Sequence, residues 1–149
     1  MIGIVAVLCT LSLVAACDLE PDVGEPLIER CDNSDTDPNN VVSFQTDIVP
    51  MIGRTIGGCV LCHDPNSGNR TGVTIGGLSL DTYAGLVTGG ARSANNIVVP
   101  GAPCESTLFR KLGPGPPFGG RMPNDGPPFW AEWELNLVHD WIAEGARDN

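Results

Sequence analysis

Cys59, Cys62 and His63 form the run Cys-Val-Leu-Cys-His, the most chemically distinctive group of side chains in the sequence. Two cysteines three positions apart lie on one side of a turn, so each can bond a vinyl group of the same porphyrin. The histidine that follows can then reach the iron at the centre of that ring. The spacing predicts one haem attached covalently through Cys59 and Cys62, with His63 as an axial ligand.

A cysteine pair at this spacing also occurs in redox proteins and in structural zinc sites. A thioredoxin-like redox site requires a strand before the pair and a βαβ unit around it, and neither is evident here. A zinc site requires four ligands, and only Cys31, Cys104 and His139 remain to complete one. Haem is therefore the favoured interpretation.

A second group able to bind iron lies in a long loop. Residues 113–128 are rich in glycine and proline, and a structureless stretch longer than about 12 residues is usually functional or disordered. Met122 lies in its middle, and a thioether is a soft ligand suited to haem iron. Met51 and His139 are alternative ligands. An iron without a sixth protein ligand is a further alternative, and Arg121 could then act beside the open side of the haem.

The segment before the motif has the pattern of a short helix. Its apolar residues recur at intervals of three and four and form one stripe: Phe44, Ile48, Met51 and Ile52. Ser43 can cap the start of this helix, and Pro50 is expected to break or kink it. The stripe predicts that Met51 belongs to the core.

Three further elements are predicted downstream. Residues 64–80 are expected to form a loop with a short hairpin around 73–80, followed by a helix that Asp81 can cap. A helix of about two turns within 103–112 precedes the methionine loop. Residues that these two helices should bury are Tyr83, Leu86, Val87, Leu108, Phe109 and Leu112.

The closing element is the clearest in the sequence. Residues 131–144 contain neither proline nor glycine, acidic residues favour the first turn, and Gly145 ends the helix. Its apolar face is formed by Leu135, Val138, Trp141 and Ile142. His139 is expected to point partly outward.

The amino-terminal end differs from the rest of the chain. Residues 1–16 are uncharged and almost entirely apolar, and they fall short of the ~20 residues that a membrane-spanning helix needs. They are predicted to be a secretory signal. The junction Val-Ala-Ala-Cys at Cys17 resembles the lipobox of bacterial lipoproteins, in which the cysteine is acylated after cleavage. An ordinary cleaved signal with an incidental cysteine is the alternative.

The formal charge of −10 is unevenly distributed. Residues 17–41 hold eight acids and one base, a balance of −7, whereas residues 42–149 hold ten acids and seven bases, a balance of −3. The first segment has few apolar residues and is predicted to be a flexible acidic tether. The domain is expected to cover 42–149. No segment is basic enough to indicate nucleic-acid binding.

The chain has six cysteines, and Cys9 is expected to leave with the signal, so two remain after these assignments. An even number of cysteines in an oxidising compartment allows a disulfide between Cys31 and Cys104, which would attach the tether to the domain. Two free or separately used thiols are the alternative.

Several segments of 42–149 together resemble small class I-like cytochrome c domains of planctomycete and myxobacterial type. They are FQTDIVPMI before CVLCH, then GGLSLDTYAGLVTGG, IVVPGAPCESTLFRKL, GGRMP and HDWIAEGA. The resemblance implies an all-α fold with about four short helices and long loops around one covalent haem. It also implies that Met122 in Gly-Arg-Met-Pro is the distal axial ligand.

Three functions are consistent with these features. The leading hypothesis is an exported monohaem electron carrier, anchored by Cys17 to a membrane facing the periplasm or cell surface, that exchanges electrons with redox partner proteins. It is not expected to be an enzyme. The second hypothesis is a haem enzyme or gas sensor, peroxidase-like, with an open iron position. The third is a structural lipoprotein without haem, in which the cysteines form disulfides.

Overall fold

A computed structural model describes residues 31–149. These residues form short helices joined by long loops and contain no strand, so the expected all-α fold is confirmed. The helices are shorter and more numerous than the four expected. The signal segment 1–16, Cys17 and residues 18–30 lie outside the described residues. Between 31 and 149, no helix is both long enough and apolar enough to span a bilayer.

The helical elements follow one another along the chain. They are a π-helical turn Phe44–Ile48, α1 (Val49–Gly53), α2 (Val60–His63), α3 (Thr71–Thr74), α4 (Tyr83–Thr88), 3₁₀ turns at Ala94–Asn96 and Pro103–Glu105, α5 (Thr107–Leu112) and α6 (Glu132–Ala143). Loop 113–131 connects α5 to α6 and contains Met122.

The first helix begins as predicted but continues past its proline. The Ser43 hydroxyl accepts a hydrogen bond from the Thr46 amide at 3.2 Å, which confirms the predicted cap. Pro50 does not break the helix, because it lies in the first turn of α1, where its missing N–H is not needed. The predicted apolar stripe is buried throughout: Phe44, Ile48, Met51 and Ile52.

Helix α6 supplies the centre of the core. Trp141 and Ile142 are at most 1% exposed, and Trp141 packs against Phe44 with ring centroids 5.2 Å apart. Complete burial of a large apolar side chain contributes about 1.5–3 kcal/mol. The predicted inward side of α5 is also buried: Leu108, Phe109 and Leu112. The core therefore forms where α6 crosses α5 and the first helix.

Four local expectations were wrong. The predicted hairpin around 73–80 is absent, and the short helix α3 occupies its start. Thr82 rather than Asp81 caps α4, because the Thr82 hydroxyl accepts from the Gly85 amide at 3.1 Å. Val87 is 40% exposed, since α4 buries only Leu86 completely. His139 is 6% exposed rather than outward, because residues 31–36 cover it.

Residues 31–42, called here the strap, are fixed to the domain rather than extending freely from it. Cys31 and Cys104 form a disulfide with their Cα atoms 5.7 Å apart. The Thr36 amide and hydroxyl donate to the Asp140 carboxylate at 3.0 and 2.6 Å, and the Val42 amide donates to Glu144. Residues 31–41 were expected to belong to the flexible tether, but the disulfide and these hydrogen bonds attach them to the domain.

His139 holds the strap through both nitrogens of its ring. Nδ1 lies 2.9 Å from a carboxylate oxygen of Asp140, and Nε2 lies 2.6 Å from the carbonyl oxygen of Asp32. Both contacts lie within hydrogen-bond distance, so the ring links Asp32 of the strap to Asp140 of α6. His139 and Asp140 therefore form a buried pair beneath the strap.

The replacement Asp140→Asn tests the contribution of the Asp140 carboxylate to this buried pair. Burial raises the pKa of Asp140, but the hydrogen bonds from Thr36 and the contact with His139 outweigh it, so its pKa lies below the ordinary value. The stabilisation is therefore present above pH about 3.9 and is lost as the pH falls through the lower folded-state pKa. We expect the variant to lower the free energy of unfolding at pH 7 by about 1–3 kcal/mol.

Urea unfolding followed by tryptophan fluorescence at pH 7 and at steps below pH 4 measures the effect. The native protein should lose stability over the acid steps more steeply than Asp140→Asn. Glu132→Gln, at an exposed acid on the same helix, is the control. Parallel acid profiles for the native protein and Asp140→Asn would contradict the assignment.

Candidate functional site

The Cys-x-x-Cys-His run folds into a single helical turn. The Cys59 carbonyl accepts hydrogen bonds from the amides of Cys62 at 3.1 Å and His63 at 2.9 Å. Gly57 precedes the turn with a φ of 67°, a conformation that side chains rarely adopt. The Cys59 amide donates to the Ile52 carbonyl at 2.7 Å, so the end of α1 fixes where the turn starts.

The loop before α4 sets the orientation of the His63 ring. Nδ1 lies 3.0 Å from the carbonyl oxygen of Leu78, which can only accept a hydrogen bond. Nδ1 must therefore carry the proton, and in the neutral ring the lone pair lies on Nε2. The Leu80 amide also donates to the His63 carbonyl at 2.7 Å. This is the arrangement in which a histidine binds a metal through Nε2 while a backbone group orients its other nitrogen.

Gly72 makes room for the same ring. A β-carbon at this position would lie 2.5 Å from atoms of the His63 imidazole, inside any normal contact distance. Gly72 lies in α3, the helix that replaces the expected hairpin. Helix α3 therefore packs its backbone directly against the His63 ring.

The two motif cysteines are free thiols in different surroundings. Burial raises the pKa of Cys59 to about 12, although the nearby Arg54 charge acts in the opposite direction. Redox-active cysteines need a lowered pKa, because the thiolate is the nucleophile. An uncharged thioether suits the site of Cys59 better than a thiolate does. Cys62 is half-buried, and its Sγ accepts a hydrogen bond from the side-chain Nδ2 of Asn69 at 3.4 Å.

Met122 lies half-buried at the edge of the core. Met122 and Cys59 both pack against the main hydrophobic cluster. The Met122 amide donates to the Lys111 carbonyl at 2.8 Å, and the neighbouring Arg121 Nε donates to the Leu112 carbonyl at 2.7 Å. The end of α5 therefore positions the middle of loop 113–131.

Arg54 contributes an unexpected feature beside the motif. Its guanidinium pairs with Glu134 and lies over Trp130, 5.1 Å from the ring centroid. Its Nε is buried and lacks a hydrogen-bond partner within residues 31–149. Arg54 also packs against Gly57 and acts electrostatically on Cys59. A buried unpaired donor is costly, so this atom fits a ligand that offers an acceptor.

These residues fit a covalently attached haem. The motif offers two free thiols and a histidine whose Nε2 is the nitrogen left to bind iron. The carboxylates of the propionate groups are the peripheral acceptors of a haem, and Arg54 has an unused donor beside Cys59. Neither Leu78 nor Arg54 could be recognised as a site residue from the sequence, because Leu78 acts through its backbone and Arg54 through tertiary contacts.

The other candidate residues are engaged elsewhere. Met51 is buried in the core, as predicted, and both ring nitrogens of His139 are bound within the protein. Arg121 is held by the Leu112 carbonyl and lies over Phe129, 4.3 Å from its ring centroid. Within residues 31–149, no cluster of three histidine, cysteine or acidic residues is arranged to hold a metal ion.

The helical fold, the single-turn motif and the orientation of His63 are features that a c-type cytochrome domain requires. Residues 59–124 match the family model described as planctomycete cytochrome C, PSCyt1. This segment is similar to the cytochrome c domains of that family, whose name implies covalent haem. The match runs from the first motif cysteine to just beyond Met122 and covers somewhat less than half of the chain. No curated protein and no solved structure matches the chain.

Gly72→Ala tests the packing of α3 against His63. Alanine normally favours a helix over glycine by roughly 0.5–1 kcal/mol, but overpacking against a fixed ring costs about 1–3 kcal/mol. We expect a lower urea midpoint and less covalently bound haem per protein, measured by fluorescence and by absorption after denaturation. Gly68→Ala is the matched control, since a β-carbon there meets no atom within 4 Å. Equal haem content in the two variants would refute the contact.

Proposed function

We propose that this chain is an extracytoplasmic electron carrier with one haem bound through Cys59 and Cys62. In this proposal Nε2 of His63 and the thioether sulfur of Met122 would hold the iron. The observation that carries the proposal is the contact of the His63 Nδ1 with the Leu78 carbonyl, which leaves Nε2 as the nitrogen for iron. The haem, when bound, supplies a one-electron change between ferrous and ferric iron.

The chain's own residues would hold this redox centre without taking part in bond making. Leu78 and Gly72 fix the ring of His63, so the axial ligand needs little rearrangement between the two iron states. The backbone contact to Lys111 fixes Met122. With both axial positions filled by the protein, no substrate could coordinate the iron, which favours a carrier over an enzyme.

Arg54 is proposed to donate its free Nε–H to a haem carboxylate. Support comes from the unpaired buried nitrogen and from the rigid support of the guanidinium by Glu134 and Trp130. A charge-assisted hydrogen bond of this kind would satisfy the donor and neutralise part of the haem's negative charge. It would also connect the haem to α6, because the Glu134 carboxylate accepts from the Ala131 amide at 2.7 Å.

Export and membrane attachment are part of the proposal. The apolar segment 1–16 and the lipobox-like junction at Cys17 support a lipid-anchored protein outside the cytoplasm. The disulfide between Cys31 and Cys104 is consistent with an oxidising compartment. Residues 18–30 would then link the lipid to the strap.

Replacing Met122 by alanine tests the sixth ligand. The native ferric protein should show the weak far-red absorption band of thioether-ligated haem, and its ferrous form should bind carbon monoxide slowly. Met122→Ala should lose the band, bind carbon monoxide rapidly and lower the reduction potential by on the order of 0.1 V, within the wide range that axial ligands span. Met51→Leu, at a buried core methionine, should leave all three unchanged. Rapid carbon monoxide binding by the native protein would favour the open-site enzyme or sensor.

Haem staining of denaturing gels tests covalent attachment. The double variant Cys59→Ser and Cys62→Ser should lose the stain completely, because thioether bonds survive denaturation and coordination does not. The matched variant Cys31→Ser and Cys104→Ser removes the disulfide and should keep the stain. A native protein without stain after expression with a haem-attachment system would favour the haem-free structural lipoprotein.

A further inference from the structure

We infer that Lys111 is the positioning residue for Met122, because its backbone binds Met122 and its side chain binds the loop segment just before it. This inference rests on the proposed ligation of iron by His63 and Met122. It concerns how a glycine- and proline-rich loop is kept in a fixed position against α5.

The loop cannot fix its own position. Proline lacks an amide hydrogen, and glycine is conformationally freer than other residues, so both disfavour regular structure. Residues 113–128 accordingly form no helix and no strand. A ligand on such a segment must be positioned by contacts with a more rigid element. Helix α5 is that element, since its residues Leu108, Phe109 and Leu112 are anchored in the core.

Lys111 contacts the loop from two directions. Its backbone carbonyl accepts from the Met122 amide at 2.8 Å. Its ammonium group donates to the carbonyl of Phe118 at 2.8 Å and to the carbonyl of Gly120. Lys111 therefore binds the backbone of Met122 and the backbone of Phe118 and Gly120, which lie shortly before Met122 in the loop.

The surroundings of the ammonium group favour lysine at this position. The Nζ atom lies 5.0 Å from the centroid of the Phe118 ring, and a β-carbon on Gly119 would lie 3.8 Å from it. A compact ammonium with three donors can serve two carbonyls that converge on one point, whereas the planar guanidinium of arginine spreads its donors. Lys111 is the single lysine of the chain, and the other seven bases are arginines.

The cost of partly burying this charge supports a specific role. Burial lowers the pKa of Lys111, and the nearby Arg92 charge adds to that effect. Arg110, the adjacent base on α5, makes no side-chain hydrogen bond to loop 113–131 and so provides a matched comparison. Lys111 makes the contacts that Arg110 does not.

The test uses the haem-containing protein and imidazole, a ligand that binds ferric iron only when the methionine leaves. In Lys111→Met we expect the affinity for imidazole to rise about tenfold. Loss of one to two hydrogen bonds to the loop favours the state in which Met122 has left the iron. The far-red thioether band should disappear at a lower urea concentration than tryptophan unfolding. Arg110→Met should stay within about twofold of the native affinity. Lys111→Arg should return only part of the way towards it, because the guanidinium spreads its donors.

The possible outcomes separate this inference from the proposed function. A native protein without the thioether band would refute the ligation by Met122 and, with it, this role of Lys111. A native protein with the band, together with native imidazole affinity in Lys111→Met, would overturn the inference alone. If Lys111→Met is not recovered with haem, Lys111→Gln decides by the same criterion, because its shorter neutral amide cannot reach both carbonyls.

Discussion

The hydrogen bond between His63 Nδ1 and the Leu78 carbonyl is the constraint on which the site depends. A histidine on a one-turn helix could rotate freely, and either nitrogen could carry the proton. The carbonyl removes both freedoms, and Gly72 brings a second backbone segment against the ring. Because Leu78 lies 15 residues beyond His63, the whole connection 64–78, including α3, must fold before the ligand is oriented.

A second network connects this motif to the far end of the domain. Glu134 is 5% exposed and joins the start of α6 to Arg54, while the indole of Trp130 donates to the Gly57 carbonyl at 2.7 Å. The closing helix therefore reaches both the core, through Trp141, and the segment just before Cys59. The family match ends at residue 124, so these contacts come from a part of the chain beyond the matched segment.

The strap and the methionine loop use the same physical solution with different chemistry. Both are irregular segments, and each is held against a helix by charged side chains bonded to backbone groups. For the strap the charge is Asp140 of α6, next to His139, and for the loop the charge is Lys111 of α5. Charged side chains that contact carbonyls and amides regain hydrogen bonds in place of the water they lose, and these bonds help to order irregular segments of a small domain.

The sequence by itself determined the features that depend on residue type and local spacing. The motif Cys59 to His63, the stripe of the first helix, the buried face of α5 and the closing helix follow from short-range patterns, and the structure contains all of them. Short-range patterns gave the wrong answer at Asp81 and at the expected hairpin. Thr82 is as able as Asp81 to cap α4, and the start of the expected hairpin forms α3, which packs against the His63 ring. The orientation of His63 by a backbone carbonyl, the ion pair of Arg54 with Glu134 and the burial of His139 were decided only by the tertiary structure. Each joins residues far apart in the chain, and a backbone carbonyl is the same in every residue, so no local pattern could mark them.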